Sequence, residues 1–179
     1  MAALRTVVAV AWIVFWIYWL VSAVAANRGT GRMQGTPVGA LIVLLVLIPF
    51  LVDAGSLEIH VLALAVIGAL VTLSGLAFAV WARIHLGRNW GMPMTQKEEP
   101  ELITSGPYRF VRHPIYTGLL AAIVGTALTT NLSALVVAAV LAVYFWHSAT
   151  VEERNLGATF PSAYPAYRTR TKRLIPFVL

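Results

Sequence analysis

The sequence predicts an all-α integral membrane protein: five transmembrane helices, a short helical hairpin formed by the last two, and a polar segment on the cytoplasmic side. Three observations predict it. Of 179 residues, 59% are hydrophobic and 11% charged, where soluble domains carry roughly 25% charge, and the mean hydropathy is +0.80. The apolar residues gather into five long runs. The Lys and Arg residues fall almost entirely on one side of the arrangement those runs imply.

The length suits one compact bundle, a single domain over 1–179. There are no cysteines, which excludes disulfides, thiolate metal sites and Cys nucleophiles. The net charge is +6 and the pI about 10.2. In a membrane chain this marks cytoplasmic loops and the lipid bilayer rather than nucleic acid.

Residues 7–26 form an apolar run of 20, enough to cross a core of about 30 Å at about 1.5 Å per residue. Arg5 before the run and Ser22-Ala23-Val24-Ala25-Ala26 at its end have the outline of a secretory signal. The run is longer than such a signal's apolar region and rich in bulky aromatics, so it reads as a span. Asn27 to Arg32 is a glycine-rich loop. Pro37 opens a second run to residue 52, which Pro49 kinks or finishes. Asp53-Ala54-Gly55-Ser56 is a turn, and a third run covers residues 57–84, with Glu58 and His60 at its start and Arg83 at its end.

From His85 to Arg112 the chain is polar and punctuated by Gly and Pro, too irregular for a membrane helix. Loops this long in a compact fold are usually functional. Residues 115–130 and 132–151 then make a hairpin with almost no loop. The first arm is short, so the hairpin either spans or re-enters. Small residues at Gly118, Ala121, Ala122, Gly125, Thr126 and Thr129 recur every three or four positions and let another backbone approach closely. After it the helix is expected to continue into a basic tail, an interfacial piece whose cations meet anionic head groups.

With five spans starting outside, twelve Lys and Arg face inward (Arg28, Arg32, Arg83, Arg88, Lys97, Arg109, Arg112, Arg154, Arg168, Arg170, Lys172 and Arg173) and Arg5 alone faces out. The positive-inside rule therefore puts the N-terminus outside and the C-terminus in the cytoplasm.

Chemistry concentrates between Thr104 and Gly118. Arg109, Arg112 and His113, with Tyr108 and Tyr116, stand at the entry to one span. Glu152 and Glu153 stand at the exit of the next, and a hairpin returns the chain to the side it left. Cations and carboxylates therefore meet at one membrane face. An interfacial belt of snorkelling side chains is the plainer reading, but a Gly-Pro turn followed by Arg-His-Pro and then Tyr is more specific than a belt requires. Pro114 fits the first turn of a helix and sets His113 at its N-terminus. His85 reads as interfacial. The four His are scattered without metal-ligand spacing, so no metal is expected.

The order Gly106-Pro107-Tyr108, Arg112-His113-Pro114-x-Tyr116-x-Gly118, a short hairpin, Glu152-Glu153-x-x-Leu156-x-x-x-Phe160, Tyr164-x-x-Tyr167 and Leu174-Ile175-Pro176 resembles the isoprenylcysteine carboxyl methyltransferase family and its bacterial and archaeal relatives. The resemblance covers residues 81–177, and phospholipid N-methyltransferases look like more distant cousins. It implies a membrane enzyme that uses S-adenosylmethionine, releases S-adenosylhomocysteine and lacks a Rossmann domain. Three N-terminal spans (1–84) would then support a catalytic region (85–179).

Carried over residue by residue, the resemblance implies a cofactor site of Gln96, Pro100, Glu101, Leu102, Ile103, Tyr108, His113, Pro114, Ile115, Tyr116 and Glu152. His113 or Arg112 would hold the methionine carboxylate, Tyr108 and Leu102 would flank the adenine, and Glu152 would accept from the amino group or ribose. For the reaction itself, Arg112, His147 and Glu153 are the catalytic candidates. A carboxylate acceptor needs no base, whereas an amine, thiol or phenol would call on His147 or Glu153. The chain departs from the eukaryotic pattern at Ser148, where those enzymes carry an Arg for the substrate carboxylate. Ser148, Arg109 and Arg154 are thus the substrate-binding candidates, for an amphiphilic small-molecule or lipidated acceptor. Pro161 replaces the usual Gly after Phe160. Two other readings stay open: a nicotinamide-dependent enzyme like the membrane sterol reductases, which look similar around the Arg-His motif, and a non-catalytic membrane scaffold.

Overall fold

The computed structural model describes residues 1–27, 57–87, 90 and 101–176. The expected second span and its flanking loops lie outside them, as do Gln96 and Pro100. Numbered over the described residues, the helices are α1 (Ala2–Asn27), α2 (Leu62–Leu86), α3 (Pro114–Thr129), α4 (Ala134–Thr159) and α5 (Ala163–Arg170), with a 3-10 turn at Gly106–Arg109. No strand appears among the described residues.

Three helices, α1, α2 and α4, are long and apolar enough to cross a membrane. At 16 residues, α3 would reach only about 24 Å, short of a core of about 30 Å. Outward apolar side chains such as Ile17 on α1, Leu70 on α2 and Val143 on α4 are 59–73% exposed. They form the surface that hydrocarbon covers.

One face of α1 follows the helical repeat: Val8, Trp12 and Phe15 are at most 3% exposed and meet the core formed by Leu76, Leu119, Ile123, Leu141 and Phe145. The Trp12 indole donates to Thr126 Oγ1 at 2.9 Å, so this polar edge is satisfied in the apolar interior.

The tightest packing is between α2 and α3, which run antiparallel. A Cβ added at Gly68 would lie 2.6 Å from the Gly125 carbonyl, and one at Gly75 would lie 2.6 Å from the Gly118 carbonyl. Thr72, between the two glycines, donates to Gly68 O at 3.0 Å and Ala122 O at 3.2 Å. The small-residue stripe of α3 thus meets a matching pair of glycines seven residues apart on α2. Close backbone contact of this kind drives association where lipid supplies no hydrophobic force.

The third run becomes helical only at Leu62, five residues later than its apolar start at Leu57. The intervening backbone pairs with the hairpin turn instead: Ile59 N–H donates to Thr130 O at 3.0 Å and Leu132 N–H to Leu57 O at 2.9 Å. Arg5 closes this end of the bundle by an ion pair to Glu58 at 3.0 Å. All eight other described Lys and Arg residues belong to the opposite end, with the C-termini of α2 and α4 and the N-terminus of α3.

At that opposite end α4 continues beyond the apolar run, as expected, to Thr159, so Glu152 and Glu153 ride on a rigid helix. The tail folds back rather than lying on the surface. It buries Tyr164 and Tyr167, and residues Val111 and Lys172 form a parallel bridge.

Candidate functional site

Backbone geometry brings the site together before any side chain acts. Pro114 occupies the first helical position of α3, and His113 is the N-cap, with φ −125° and ψ 62°. The His113 N–H donates to Arg173 O at 3.1 Å, and the Arg112 N–H to Lys172 O at 2.8 Å. Thr117 Oγ1 ties the first turn of α3 to Leu174 O at 2.6 Å. Upstream, Gly106 sits at φ +57°, where a Cβ would fall 2.7 Å from the His85 ring; His85 Nε2 in turn bonds Ser105 Oγ at 2.9 Å. The positive φ favours glycine here.

From this frame the His113 imidazole reaches both neighbouring carboxylates of α4. Its Nδ1 lies 3.3 Å from Glu152 Oε2 and its Nε2 lies 3.2 Å from Glu153 Oε1. With an acceptor on each nitrogen, the ring is suited to carry both protons. Burial alone would push the His113 pKa down, but hydrogen bonds to and charges on Glu152 and Glu153 outweigh it, and the net shift is upward.

The two carboxylates have different surroundings. Glu153, with a side chain only 5% exposed, accepts from Arg112 Nε at 2.9 Å and from Arg173 Nε and Nη2 at 3.0 and 2.9 Å. Two guanidiniums and an imidazole therefore neutralise one buried anion, the condition under which a buried charge is tolerated. Arg112 spends its other contacts on the carbonyls of Arg168 and Thr171, fastening the tail. Glu152 is a quarter exposed and receives the Tyr116 hydroxyl on Oε1 at 2.5 Å. The Tyr116 ring stacks between His113, 5.5 Å away, and Phe145, 4.5 Å away, which fixes where its hydroxyl points.

Tyr108 is buried on the 3-10 turn, and its carbonyl accepts from the Tyr167 hydroxyl at 2.7 Å. Burial raises its pKa, Tyr167 and Glu152 add to the rise, and Arg83 opposes it. Glu101, Leu102 and Ile103 lead into this turn without regular structure, with Glu101 exposed and the other two partly buried. Ile115 packs at the edge of the core.

The structure thus gathers Tyr108, Arg112, His113, Tyr116, Glu152 and Glu153 at one end of the bundle. It places the remaining candidates elsewhere. Ser148 is fully buried and donates to Tyr144 O at 3.0 Å within α4. His147 is exposed on a different face of α4 from Glu153. The Arg109 guanidinium lies 4.5 Å over the Phe110 ring. Arg154 is exposed and lines an open cavity of about 730 Å³ between α4 and α5.

Arg173 is the residue that sequence reasoning missed. It reads as one more tail cation, yet it chelates Glu153 and lies 4.4 Å over the Trp146 ring. The signal that could have found it is its position directly before Leu174-Ile175-Pro176. Among the described residues no group of three or more His, Asp or Glu is placed to hold a metal.

The sequence model of the phospholipid methyltransferase family matches residues 63–163, which takes in α2, the 3-10 turn, α3 and α4. Three curated relatives agree with it. Protein-S-isoprenylcysteine O-methyltransferase B of Arabidopsis thaliana is 29% identical over 119 residues, 65% of this chain and 58% of that protein. The protein-S-isoprenylcysteine O-methyltransferase of Schizosaccharomyces pombe is 30% identical over 101 residues, 54% of this chain and 43% of that protein. Methanethiol S-methyltransferase 1 of Bradyrhizobium diazoefficiens is 37% identical over 78 residues, 44% of this chain and 27% of that protein. The chain therefore spans between about a quarter and three-fifths of the length of these relatives.

Proposed function

The chain belongs to the phospholipid methyltransferase family, and from that premise we propose that it is a membrane methyltransferase using S-adenosylmethionine, with an amphiphilic acceptor. The observation that carries the reading is the pairing of Glu152, a quarter exposed, with an imidazole at the N-terminus of α3. A zwitterionic amino-acid moiety needs an anion for its ammonium and a positive pole for its carboxylate, and this donor set fits both needs. When bound, the donor supplies an electrophilic sulfonium methyl.

The chain's residues then divide the work. Glu152, oriented by Tyr116 and His113, accepts from the ammonium or from ribose hydroxyls. His113 contributes positive charge near the carboxylate, and Tyr108 with Glu101, Leu102 and Ile103 encloses the base. Glu153 and Arg112 act as positioning residues, because their contacts are with His113, Arg173 and the tail backbone. Alignment of acceptor and donor in a water-poor site is worth up to about 7 to 11 kcal/mol without further chemistry. A carboxylate or thiolate acceptor would need no base in the site. The relatives named above act, by their names, at oxygen in two cases and at sulfur in one, so both product classes belong in the test. The site faces the cytoplasm in this reading, with the N-terminus outside.

Calorimetry on detergent-purified protein tests it. S-adenosylhomocysteine binds and NADPH does not; binding of NADPH alone overturns the reading, and binding of neither removes the enzyme. His113→Ala and Glu152→Gln each abolish S-adenosylhomocysteine binding while the melting transition persists. Wild-type affinity in both would show the site misplaced. Methyl transfer into base-labile ester against stable N- or S-methyl product then identifies the acceptor atom.

A further inference from the structure

The cavity between α4 and α5 borders the Glu152 cluster through Glu153 and Arg173 but has a different character. Its volume is about 730 Å³, and its walls carry three arginines, Arg154, Arg168 and Arg173, against one carboxylate, Glu153. That carboxylate is already engaged by Arg112, Arg173 and His113. Arg154 and Arg168 are exposed and make no ion pair among the described residues. Tyr164 is on the same wall, 3% exposed, and its hydroxyl is buried with no hydrogen-bond partner. A buried donor without a partner is costly. With three guanidiniums against one already engaged carboxylate, the wall is positively charged, which suits an oxyanion.

The face of α4 that floors the cavity says where that oxyanion comes from. Val136, Val140 and Val143 are 67%, 53% and 73% exposed and form the lipid-facing stripe. Continued at the same three- and four-residue spacing, the stripe passes His147 and reaches Thr150, Arg154 and Gly157, all three of the latter in the cavity wall. Trp146, 46% exposed and covered by Arg173, stands at the change from apolar to polar, the level aromatic residues favour at a membrane interface. Val143 and Thr150 are about 10 Å apart along the helix. A chain lying against the valines therefore carries its head group into the arginines without leaving that face.

We propose that this cavity holds the phosphate of an anionic membrane lipid, with Arg154 and Arg168 as its ligands and the acyl chains along the α4 valine stripe. A zwitterionic head group is disfavoured because its ammonium would meet no free carboxylate there. The site needs neither S-adenosylmethionine nor the methyl-transfer reading, since none of its proposed ligands touches Glu152.

Native mass spectrometry of the purified chain from mixed micelles tests it, with phosphatidylglycerol and phosphatidylcholine at equal concentration. Wild type retains phosphatidylglycerol preferentially. The Arg154→Gln/Arg168→Gln double variant loses that preference by about tenfold or more. Arg170→Gln/Lys172→Gln, which removes the same charge from the neighbouring surface but not from this cavity, keeps it. An equal loss in both double variants would reduce the effect to general surface charge and overturn the site. Displacement of the lipid by millimolar inorganic phosphate would overturn the lipid assignment in favour of a small-anion site. Melting temperatures of all three proteins confirm that each is folded, and unchanged S-adenosylhomocysteine binding in the first variant separates this result from the methyl-donor site.

Discussion

At the scale of single residues, the arrangement makes His113 the group most sensitive to pH. Its pKa in the folded protein is raised above the ordinary 6.5, so its protonated form contributes stability in full below that value, and the contribution is lost as pH rises through the raised pKa. The melting temperature in detergent should therefore fall as pH rises above about 6.5, and His113→Gln should flatten that dependence. A wild-type profile identical to the variant's would remove His113 as its source. Arg173 supplies the second expectation. Arg173→Met leaves the buried Glu153 with Arg112 and His113 but without one partner, and losing a hydrogen bond to a charged group costs about 1.5 to 3 kcal/mol, whereas Lys172→Met, on an exposed neighbour, should change the melting temperature little. The sequence made His113, Tyr116, Glu152 and Glu153 legible because a hairpin must return its two ends to one side. It could not show that one imidazole bridges both carboxylates, since that depends on side-chain reach. Arg173 was hidden among similar charges, and only the parallel pairing of residues 111–113 with 172–173 turns it inward.

Among the elements, α2 and α3 are the pair whose fit is least forgiving. A Cβ at Gly75 or Gly125 would lie 2.5–2.6 Å from opposing backbone, which cannot move as a flexible side chain does. Gly75→Val should cost about 1 to 3 kcal/mol or more by overpacking, read as a lowered melting temperature. Gly157→Ala, whose nearest neighbour is a Tyr164 ring carbon at 3.8 Å, should be close to neutral. The α3 half of this contact was visible from its repeat of small residues. The α2 half was not, because in a run that is apolar throughout, two glycines seven apart give no contrast against the alanines around them. The onset of α2 was misjudged for a related reason. Leu57 and Ile59 are as apolar as the helix that follows, but their backbone groups pair with the hairpin turn, a long-range choice that hydropathy does not record.

For the whole molecule, the two ends of the bundle have different tasks. One end is closed by Arg5 and Glu58, whose side chains are about a third exposed. Such a pair is worth roughly 0.2 to 1 kcal/mol, so Arg5→Gln should barely shift stability or ligand binding. The other end is built from α3, α4 and the tail, and removing residues 171–179 should abolish S-adenosylhomocysteine binding while α1, α2 and α4 still insert, as checked by protease protection in membranes. The tail's pairing with residues 111–113 also fixes an order of events during biosynthesis. Every described apolar helix precedes residues 172–174, and the backbone that seats His113 borrows its partners from those late residues. The nascent protein can therefore enter the bilayer and pack its helices while its polar pocket is still open, and that pocket closes only once the tail has left the ribosome.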